Sequence, residues 1–305
     1  MKIFTNPTQL IGNTPLLEAS RLTTALGLTA RLLLKIEAFN PGGSIKDRVA
    51  LAMIEDAERK QLLTAGGTII EATSGNTGIG LAWIANLKGY RLILTMPETM
   101  SIERQKLLKV LGAEVVLTPG AEGMNGAVKR AEQLKNEIPG SVIMQQFSNE
   151  SCVTAHMLHT GREILDATDG KVDVLIAGVG TGGTLTGIAK VLKSNDENVH
   201  IIAVEPEASP VLSGGASGMH NIQGIGAGFI PPIYDASLVD EIMQVSDAKA
   251  REGVNLLLRH EGLFCGISSG AALSAALRVA QRPEFARATL VVMLPDSGNR
   301  YLSLL

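Results

Sequence analysis

The sequence has few of the aromatic and cationic residues that nucleic-acid binding requires. Only 3% of its 305 residues are aromatic, and 27 basic residues against 30 acidic ones give a formal net charge of -3. Cationic side chains neutralise phosphates, and aromatic rings stack on the bases of single strands. The composition therefore predicts a protein with no nucleic-acid partner.

Cysteine and long apolar runs are also scarce. Cys152 and Cys265 are the two cysteines, and their separation excludes both a disulfide framework and a Cys-x-x-Cys pair. No uninterrupted apolar run approaches the roughly 18 residues of a membrane span. The first residues lack the apolar segment of a secretion signal. We therefore expect a cytoplasmic protein with no membrane partner.

Glycine is abundant, with 33 residues, and short β-branched runs alternate with segments of helical period. The alternation predicts an α/β fold with mostly parallel sheets and helices on both sheet faces. Expected strands cover residues 31–36, 68–71, 91–96, 114–118, 173–177, 200–205 and 289–294. Expected helices cover residues 46–60, 77–88, 102–111, 126–136, 154–165, 184–193, 248–260 and 269–280. The length favours two domains, with a break near 141–148, and the irregular segment 207–234 is long enough to be functional.

The loop at residues 40–48 delivers Lys46 to the start of a helix. The positive end of a helix disfavours an ammonium group, so Lys46 is a candidate for the depressed pKa that Schiff-base chemistry needs. The alternative is a surface lysine that simply begins an amphipathic helix.

Three further loops open helices. Residues 71–78 and 178–184 each follow a strand, and their small polar residues and glycines predict sites for a carboxylate or a phosphate. Residues 71–78 could instead form an ordinary capped turn. The third loop, residues 265–272, also opens a helix, and a serine there could simply cap that helix. Gly178, Gly180 and Gly183 also match G-x-G-x-x-G, with Glu205 about 20 residues later, which is the dinucleotide pattern and would favour NAD.

Cys152, His156 and His159 fall on one helical face, at spacings that could suggest a metal site. Three ligands on a single helix rarely close such a site. We therefore expect a packed helix face and no metal.

Together the loops resemble the cysteine synthase and cystathionine β-synthase family, the fold-type II enzymes that use pyridoxal phosphate. The segments that carry the resemblance are residues 11–16, 73–77, 180–184, 223–228, 266–272 and 295–301. The resemblance implies a fold like that of the tryptophan synthase β subunit, with two three-layer α/β/α domains. It also implies a smaller mobile domain at 38–146 and a larger cofactor-binding domain formed by 1–37 and 147–305.

The resemblance further implies a role for each site residue. Lys46 would hold the cofactor covalently and take the substrate's α-proton, Asn76 would bond the cofactor's ring oxygen, and Ser268 would face its pyridine nitrogen. The phosphate would be bound by Gly180, Thr181, Gly182, Gly183 and Thr184. The substrate, through its carboxylate, would be bound by Thr73, Ser74, Gly75, Asn76, Thr77, Gln146 and Gly224.

The activity that the resemblance implies is β-replacement on an O-activated serine, most simply the synthesis of cysteine from O-acetylserine and sulfide. A cystathionine β-synthase, a cysteine desulfhydrase and a lanthionine-forming enzyme are alternatives that share the residues around the cofactor and differ in the nucleophile pocket, and the sequence leaves the β-leaving group open as well. Alternatives from other classes are an NAD-dependent oxidoreductase and a non-catalytic binding protein. The resemblance also implies a homodimer and a possible partner, the C-terminal tail of serine acetyltransferase.

Overall fold

Short runs rich in leucine, isoleucine and valine form the strands, as the alternation in the sequence predicts. The computed structural model describes residues 3–302. The strands within these residues are β1 (Leu16–Glu18), β2 (Arg31–Ile36), β3 (Thr68–Ala72), β4 (Arg91–Pro97), β5 (Glu114–Thr118), β6 (Val142–Ile143), β7 (Val174–Gly178), β8 (His200–Pro206), β9 (Glu241–Val245) and β10 (Thr289–Leu294). All seven expected strands are present, whereas the short or partly exposed β1, β6 and β9 were not predicted.

The helices lie between the strands along the chain. They are α1 (Ser20–Ala25), α2 (Lys46–Arg59), α3 (Asn76–Lys88), α4 (Ile102–Val110), α5 (Gly123–Glu137), α6 (Ser151–Ala155), α7 (Gly161–Thr168), α8 (Gly183–Asn195), α9 (Asp247–Leu256) and α10 (Ile267–Ala280). A π-helical turn at His156–Thr160 joins α6 to α7, and a second at Leu257–Glu261 extends α9. The eight expected helices are present, and the short α1 was missed. No helix within residues 3–302 combines the length and apolar character needed to cross a bilayer.

The chain divides into two units, each with its own sheet. The smaller unit contains residues 3–11 and Lys46–Cys152, and the larger unit contains Gly12–Ile45 and residues 153–302. The family resemblance predicts a smaller mobile domain at 38–146 and a larger domain formed by 1–37 and 147–305. These bounds stay a prediction. Residues 1, 2 and 303–305 of those bounds lie outside the described residues.

The sheet of the smaller unit is parallel throughout, in the order β5-β4-β3-β6. Helices α2 and α3 approach closely, because a Cβ on Gly80 of α3 would lie 3.0 Å from both Ala50 Cβ and the Lys46 carbonyl oxygen of α2. This close approach fixes the two helix starts that carry Lys46 and Asn76 relative to each other.

The sheet of the larger unit has the order β1-β2-β10-β7-β8-β9, and only the edge strand β1 is antiparallel among its described strands. The α/β fold with mostly parallel sheets is therefore confirmed. Parallel strands place their carboxyl ends at one edge of the sheet, where ligand loops are typically found. The loops that follow β7 and β10 share that edge.

Candidate functional site

The loop between β3 and α3, residues 73–77, is called the hydroxyl loop below. Gly75 is the N-cap of α3, and glycine has no side chain with which to cap the helix. The loop is held locally by the Gly75 N–H, which donates to Thr73 Oγ1 at 3.2 Å. The first-turn N–H groups of an uncapped helix favour an anion.

Gln146 is brought to this loop by the turn that follows β6. The buried Thr77 hydroxyl donates to Gln146 Oε1 at 2.6 Å. On the other side of the loop, Arg104 Nη1 donates to the Ser74 carbonyl oxygen at 3.2 Å. The structure thus assembles Thr73, Thr77 and Gln146 at the start of α3, whose first residue is Asn76.

Lys46 is the first residue of α2 and is partly buried. The residues before it are anchored where β10 ends, because the Ile45 N–H donates to the Pro295 carbonyl oxygen at 2.9 Å and Ser44 forms a β-bridge with Asp296. Burial raises the pKa of the Cys152 thiol to about 12, and the nearby positive charge of Lys46 opposes that shift. The charge of Lys46 therefore lies close to the buried Cys152 thiol of the smaller unit.

The loop between β7 and α8, residues 178–184, is called the glycine loop below. Gly182 is the N-cap of α8 at φ 86°, and within residues 3–302 no side chain caps this helix. A Cβ on Gly180 would lie 2.2 Å from the Gly224 carbonyl oxygen, and one on Gly182 would lie 2.7 Å from Tyr234 Cβ. Only glycine fits these positions, so Thr181 and Gly183 are presented on a backbone whose shape is fixed by packing.

Thr184 ends the glycine loop and is oriented by a residue that sequence reasoning did not assign to the site. His156 is fully buried, with Nδ1 2.9 Å from Thr160 Oγ1 and Nε2 3.1 Å from Thr184 Oγ1. Its π-helical turn is a feature that often occurs at functional sites. The sequence signal for His156 is its spacing from Cys152 and His159 on one helical face, which by itself favours helix packing.

The same three residues do not converge as ligands. Cys152 Sγ donates to the Gln146 carbonyl oxygen at 3.7 Å, His156 faces two hydroxyls, and His159 is exposed. In the part of the chain that the structure describes, no group of three metal-ligating side chains is found.

Ser268 lies in the first turn of α10 and is buried. Gly266 is the N-cap, again without a side-chain cap in the described chain. Gly224 adopts φ 97°, and a Cβ there would lie 3.7 Å from Ser268 Oγ. The irregular segment 207–234 therefore brings Gly224 to both Ser268 and the glycine loop.

Glu205 is the acidic residue of the dinucleotide pattern, and its carboxylate has other partners. It is buried and accepts the N–H groups of Leu212 at 2.8 Å and Ser213 at 3.1 Å. A carboxylate used in this way holds the segment after β8. This geometry does not favour a ribose-binding role.

Comparison with known proteins gives one consistent result. Residues 7–296 match the family described as pyridoxal-phosphate dependent enzyme. A cysteine synthase of Staphylococcus aureus is 50% identical over 299 residues, which cover 98% of this chain and 95% of that protein. The crystal structure of a cysteine synthase from Entamoeba histolytica is similar with a TM-score of 0.96 and 44% identity, covering 99% of this chain and 90% of that one.

A second structural relative is named for a different product. It is a hydrogen sulfide-producing enzyme from Fusobacterium nucleatum, with a TM-score of 0.93 and 44% identity. The match covers 98% of this chain and 100% of that chain.

Proposed function

The chain belongs to the family of pyridoxal-phosphate-dependent enzymes, and we propose that it is a cysteine synthase acting on O-acetyl-L-serine and sulfide. The observation that carries the proposal is 50% identity to a cysteine synthase along 98% of the chain. The reaction exchanges acetate for hydrosulfide at the β-carbon. The C–O bond to acetate breaks, the C–S bond forms, and the proton removed from the α-carbon returns there.

The glycine loop fits the cofactor's phosphate. It offers N–H groups at the start of α8 on a backbone whose shape is fixed by close packing of Gly180 against Gly224 and of Gly182 against Tyr234. Phosphates bind well at such helix starts because the N–H groups point at the ligand and the helix dipole favours negative charge. We assign the phosphate to residues 180–184, with the Thr184 hydroxyl oriented by His156.

Lys46 is proposed as the residue that holds the cofactor covalently and then moves the α-proton. When bound, pyridoxal phosphate withdraws electrons from the substrate's α-carbon, which allows the α-proton and the β-substituent to be lost. The amine of Lys46 starts a helix, where the dipole disfavours its charged form. A neutral amine is the form that can accept the α-proton.

The remaining site residues are proposed to orient the two molecules. The hydroxyl loop and Gln146 would bind the substrate carboxylate at the start of α3, and Gly224 is proposed as a further substrate contact. Asn76 would bond the cofactor's ring oxygen. Ser268 would face the pyridine nitrogen, and its neutral hydroxyl does not require that nitrogen to be protonated, which suits elimination over transamination.

Several finer features belong to the same proposal. We propose a smaller mobile domain at 38–146 that excludes water when the substrate binds. A homodimer, a cytoplasmic location and binding of a serine acetyltransferase tail are further proposals that rest on family resemblance.

A second candidate function is release of hydrogen sulfide from cysteine, with or without formation of lanthionine. The relative from Fusobacterium nucleatum favours it, because that hydrogen sulfide-producing enzyme matches along its whole length. Cystathionine synthesis uses homocysteine as the nucleophile, whereas release of hydrogen sulfide uses cysteine as the donor and sulfide as the leaving group. Comparing O-acetyl-L-serine with cysteine as donors, and sulfide, homocysteine and cysteine as nucleophiles at equal concentration, separates the three.

The first experiment is the visible absorption spectrum of the purified protein before and after addition of O-acetyl-L-serine, followed by sulfide. We expect a yellow protein whose band shifts with O-acetyl-L-serine and returns when sulfide is added, with L-cysteine as the product. A protein that stays colourless after incubation with pyridoxal phosphate would overturn the proposal. A yellow protein that ignores O-acetyl-L-serine would transfer the assignment to another β-substituted amino acid.

The role of Lys46 is tested by borohydride reduction of the cofactor-loaded protein. We expect covalent cofactor in the unmodified protein and in Lys60→Ala, a control just past the end of α2, but none in Lys46→Ala. Turnover of Lys46→Ala should fall by roughly a hundredfold to ten-thousandfold, the range for loss of a general base. Covalent attachment that survives in Lys46→Ala would refute the assignment.

A further inference from the structure

Glu71 is a buried carboxylate at the point where the sheet of the smaller unit stops pairing. It lies near the end of β3 and is 3% exposed. The last paired residues of β3 and β6 are Ile70 and Ile143. The Met144 N–H still donates to the Ile70 carbonyl oxygen of β3 at 3.4 Å. From Gln145 onward the chain leaves the ladder, and its N–H groups need acceptors other than the β3 backbone.

The Glu71 side chain supplies those acceptors. The N–H of Gln145 donates to Oε2 at 3.0 Å, and the N–H of Gln146 donates to Oε1 at 3.3 Å. Gln145 adopts φ 55°, a left-handed conformation that costs free energy for any residue other than glycine. The carboxylate therefore holds the shape of a strained turn by accepting both of its consecutive N–H groups.

The turn in question positions the side chain of Gln146. That side chain is buried and accepts the Thr77 hydroxyl at 2.6 Å in the hydroxyl loop. A continuous series of hydrogen bonds thus runs from Glu71 through Gln146 to Thr77. Glu71 is not among the assigned site residues, although it lies two residues before Thr73.

We propose that Glu71 is a positioning residue for the substrate carboxylate, acting by holding the Gln145–Gln146 turn so that Gln146 fixes the Thr77 hydroxyl. The inference rests on the proposed function for the identity of the substrate. The claim that Glu71 orders the Gln145–Gln146 turn does not depend on the identity of any ligand.

The pKa of Glu71 determines at which pH its side chain is ionised and accepts both N–H groups of the turn. Burial raises its pKa to about 7, while the N–H groups of residues 144–146 oppose the shift. The Cys152 thiol interacts electrostatically with both Glu71 and Lys46, and it stays protonated because burial raises its pKa to about 12. Only the ionised carboxylate can accept with both oxygens.

The larger unit contains a matched control for this carboxylate. Glu205 is also buried near the end of a strand and also accepts two consecutive backbone N–H groups, those of Leu212 and Ser213. Glu205 also accepts the Ser213 hydroxyl. Glu205→Gln therefore makes the same substitution at a second buried carboxylate, whose hydrogen bonds in the described chain do not reach the hydroxyl loop.

The experiment compares Glu71→Gln with Glu205→Gln in the cofactor-loaded enzyme. We expect Glu71→Gln to raise KM for O-acetyl-L-serine roughly tenfold with little change in kcat, the size expected for one lost hydrogen bond to a charged group. Glu205→Gln should leave KM within about twofold. An unchanged KM in Glu71→Gln, or an equal rise in both variants, would overturn the inference.

A double-mutant cycle tests the route of action. If Glu71 acts through Gln146 on Thr77, then Glu71→Gln should change KM by less than about twofold once Thr77→Val is present, because coupled residues are not additive. Fully additive effects would overturn the proposed route.

Hydrogen exchange separates this inference from the proposed function. In protein without substrate, Glu71→Gln should accelerate exchange of one of the two amides of Gln145 and Gln146 roughly tenfold, since glutamine keeps one accepting oxygen and replaces the other with an NH2 donor. Unchanged exchange would overturn the inference whatever the activity. Absence of turnover in the unmodified protein would instead overturn the proposed function.

The unmodified protein provides a second route if Glu71→Gln does not fold. Protonation of Glu71 removes one acceptor, so KM for O-acetyl-L-serine should rise as the pH falls through about 7. Glu205→Gln should retain this dependence. A KM that is flat through that pH range would overturn the inference.

Discussion

The hydroxyl loop and the glycine loop are built on one plan but are fixed by different means. Each follows a parallel strand and opens a helix whose N-cap is a glycine without a side-chain cap in the described chain. A Cβ on Gly75 would meet nothing closer than Thr73 Oγ1 at 3.9 Å, whereas one on Gly180 would lie 2.2 Å from a backbone oxygen. The glycine loop is fixed by packing, and the hydroxyl loop by a few hydrogen bonds.

The difference matches what each loop is proposed to bind. A resident cofactor benefits from a rigid cradle, because no ordering cost is then incurred on binding. A substrate that enters and leaves in every cycle benefits from a loop whose surroundings leave room to adjust. The comparison therefore predicts that substitutions in the two loops have separable effects.

Gly180→Ala should have the largest effect. The new Cβ cannot coexist with the Gly224 carbonyl oxygen, so the backbone must move, at a cost of about 3 kcal/mol in the free energy of unfolding. Affinity for pyridoxal phosphate should fall roughly hundredfold because the cradle is displaced. Urea unfolding and cofactor titration measure the two effects, and near-normal values for both would remove the distinction between the loops.

Titration of Glu71 should give the next largest effect. Its pKa is raised from 4.5 to about 7 in the folded protein, so between those values the native state binds more protons than the unfolded state. Stability from this group is therefore present below pH 4.5 and is lost as the pH rises through about 7, by about 3 kcal/mol. The stability difference between the unmodified protein and Glu71→Gln should follow this curve, and a pH-independent difference would contradict it.

Thr77→Val should act on the substrate without affecting the cofactor. Valine keeps the shape of threonine but leaves the buried Gln146 Oε1 without its 2.6 Å donor, which costs about 1–2 kcal/mol. We expect KM for O-acetyl-L-serine to rise roughly tenfold while the affinity for pyridoxal phosphate is unchanged. A parallel loss of cofactor affinity would mean that the two loops are not separable.

Gly75→Ala should have the smallest effect. Its φ of -97° is accessible to alanine, and the nearest atom to the new Cβ is 3.9 Å away. The free energy of unfolding should change by less than about 0.5 kcal/mol. A loss as large as that in Gly180→Ala would show that the hydroxyl loop is also fixed by packing.

Much of this fold follows from local sequence pattern, because buried parallel strands and capped helices carry their own signals. Ser101 directly precedes α4, and serine is a common helix cap; its Oγ accepts the Arg104 N–H at 3.4 Å. Gly89 directly follows α3, where glycine commonly ends a helix, and it adopts φ 75°. The two-residue strand β6 left no such signal and lies inside the predicted break, since two residues cannot show a period.

The site was predictable where backbone chemistry defines it and not where distant side chains do. The glycine loop follows from four clustered glycines, but the space filled at Gly182 by Tyr234 depends on a contact 52 residues away in sequence. His156 and Thr184 are likewise separated by 28 residues. Contacts of this range need the fold itself.

Synthesis of β10 must precede closure of the larger sheet. β10 is inserted between β2 and β7, and its first pair joins Thr289 to Arg31. At a synthesis rate of roughly 5–20 residues per second, about 10–50 s pass between the synthesis of β2 and that of β10. During that time the apolar run Leu32–Leu34, which is buried in the folded protein, lacks the β10 side of its sheet. The smaller sheet, whose strands all lie between residues 68 and 143, needs no such wait. The final strand therefore sets how long the nascent chain depends on protection from aggregation.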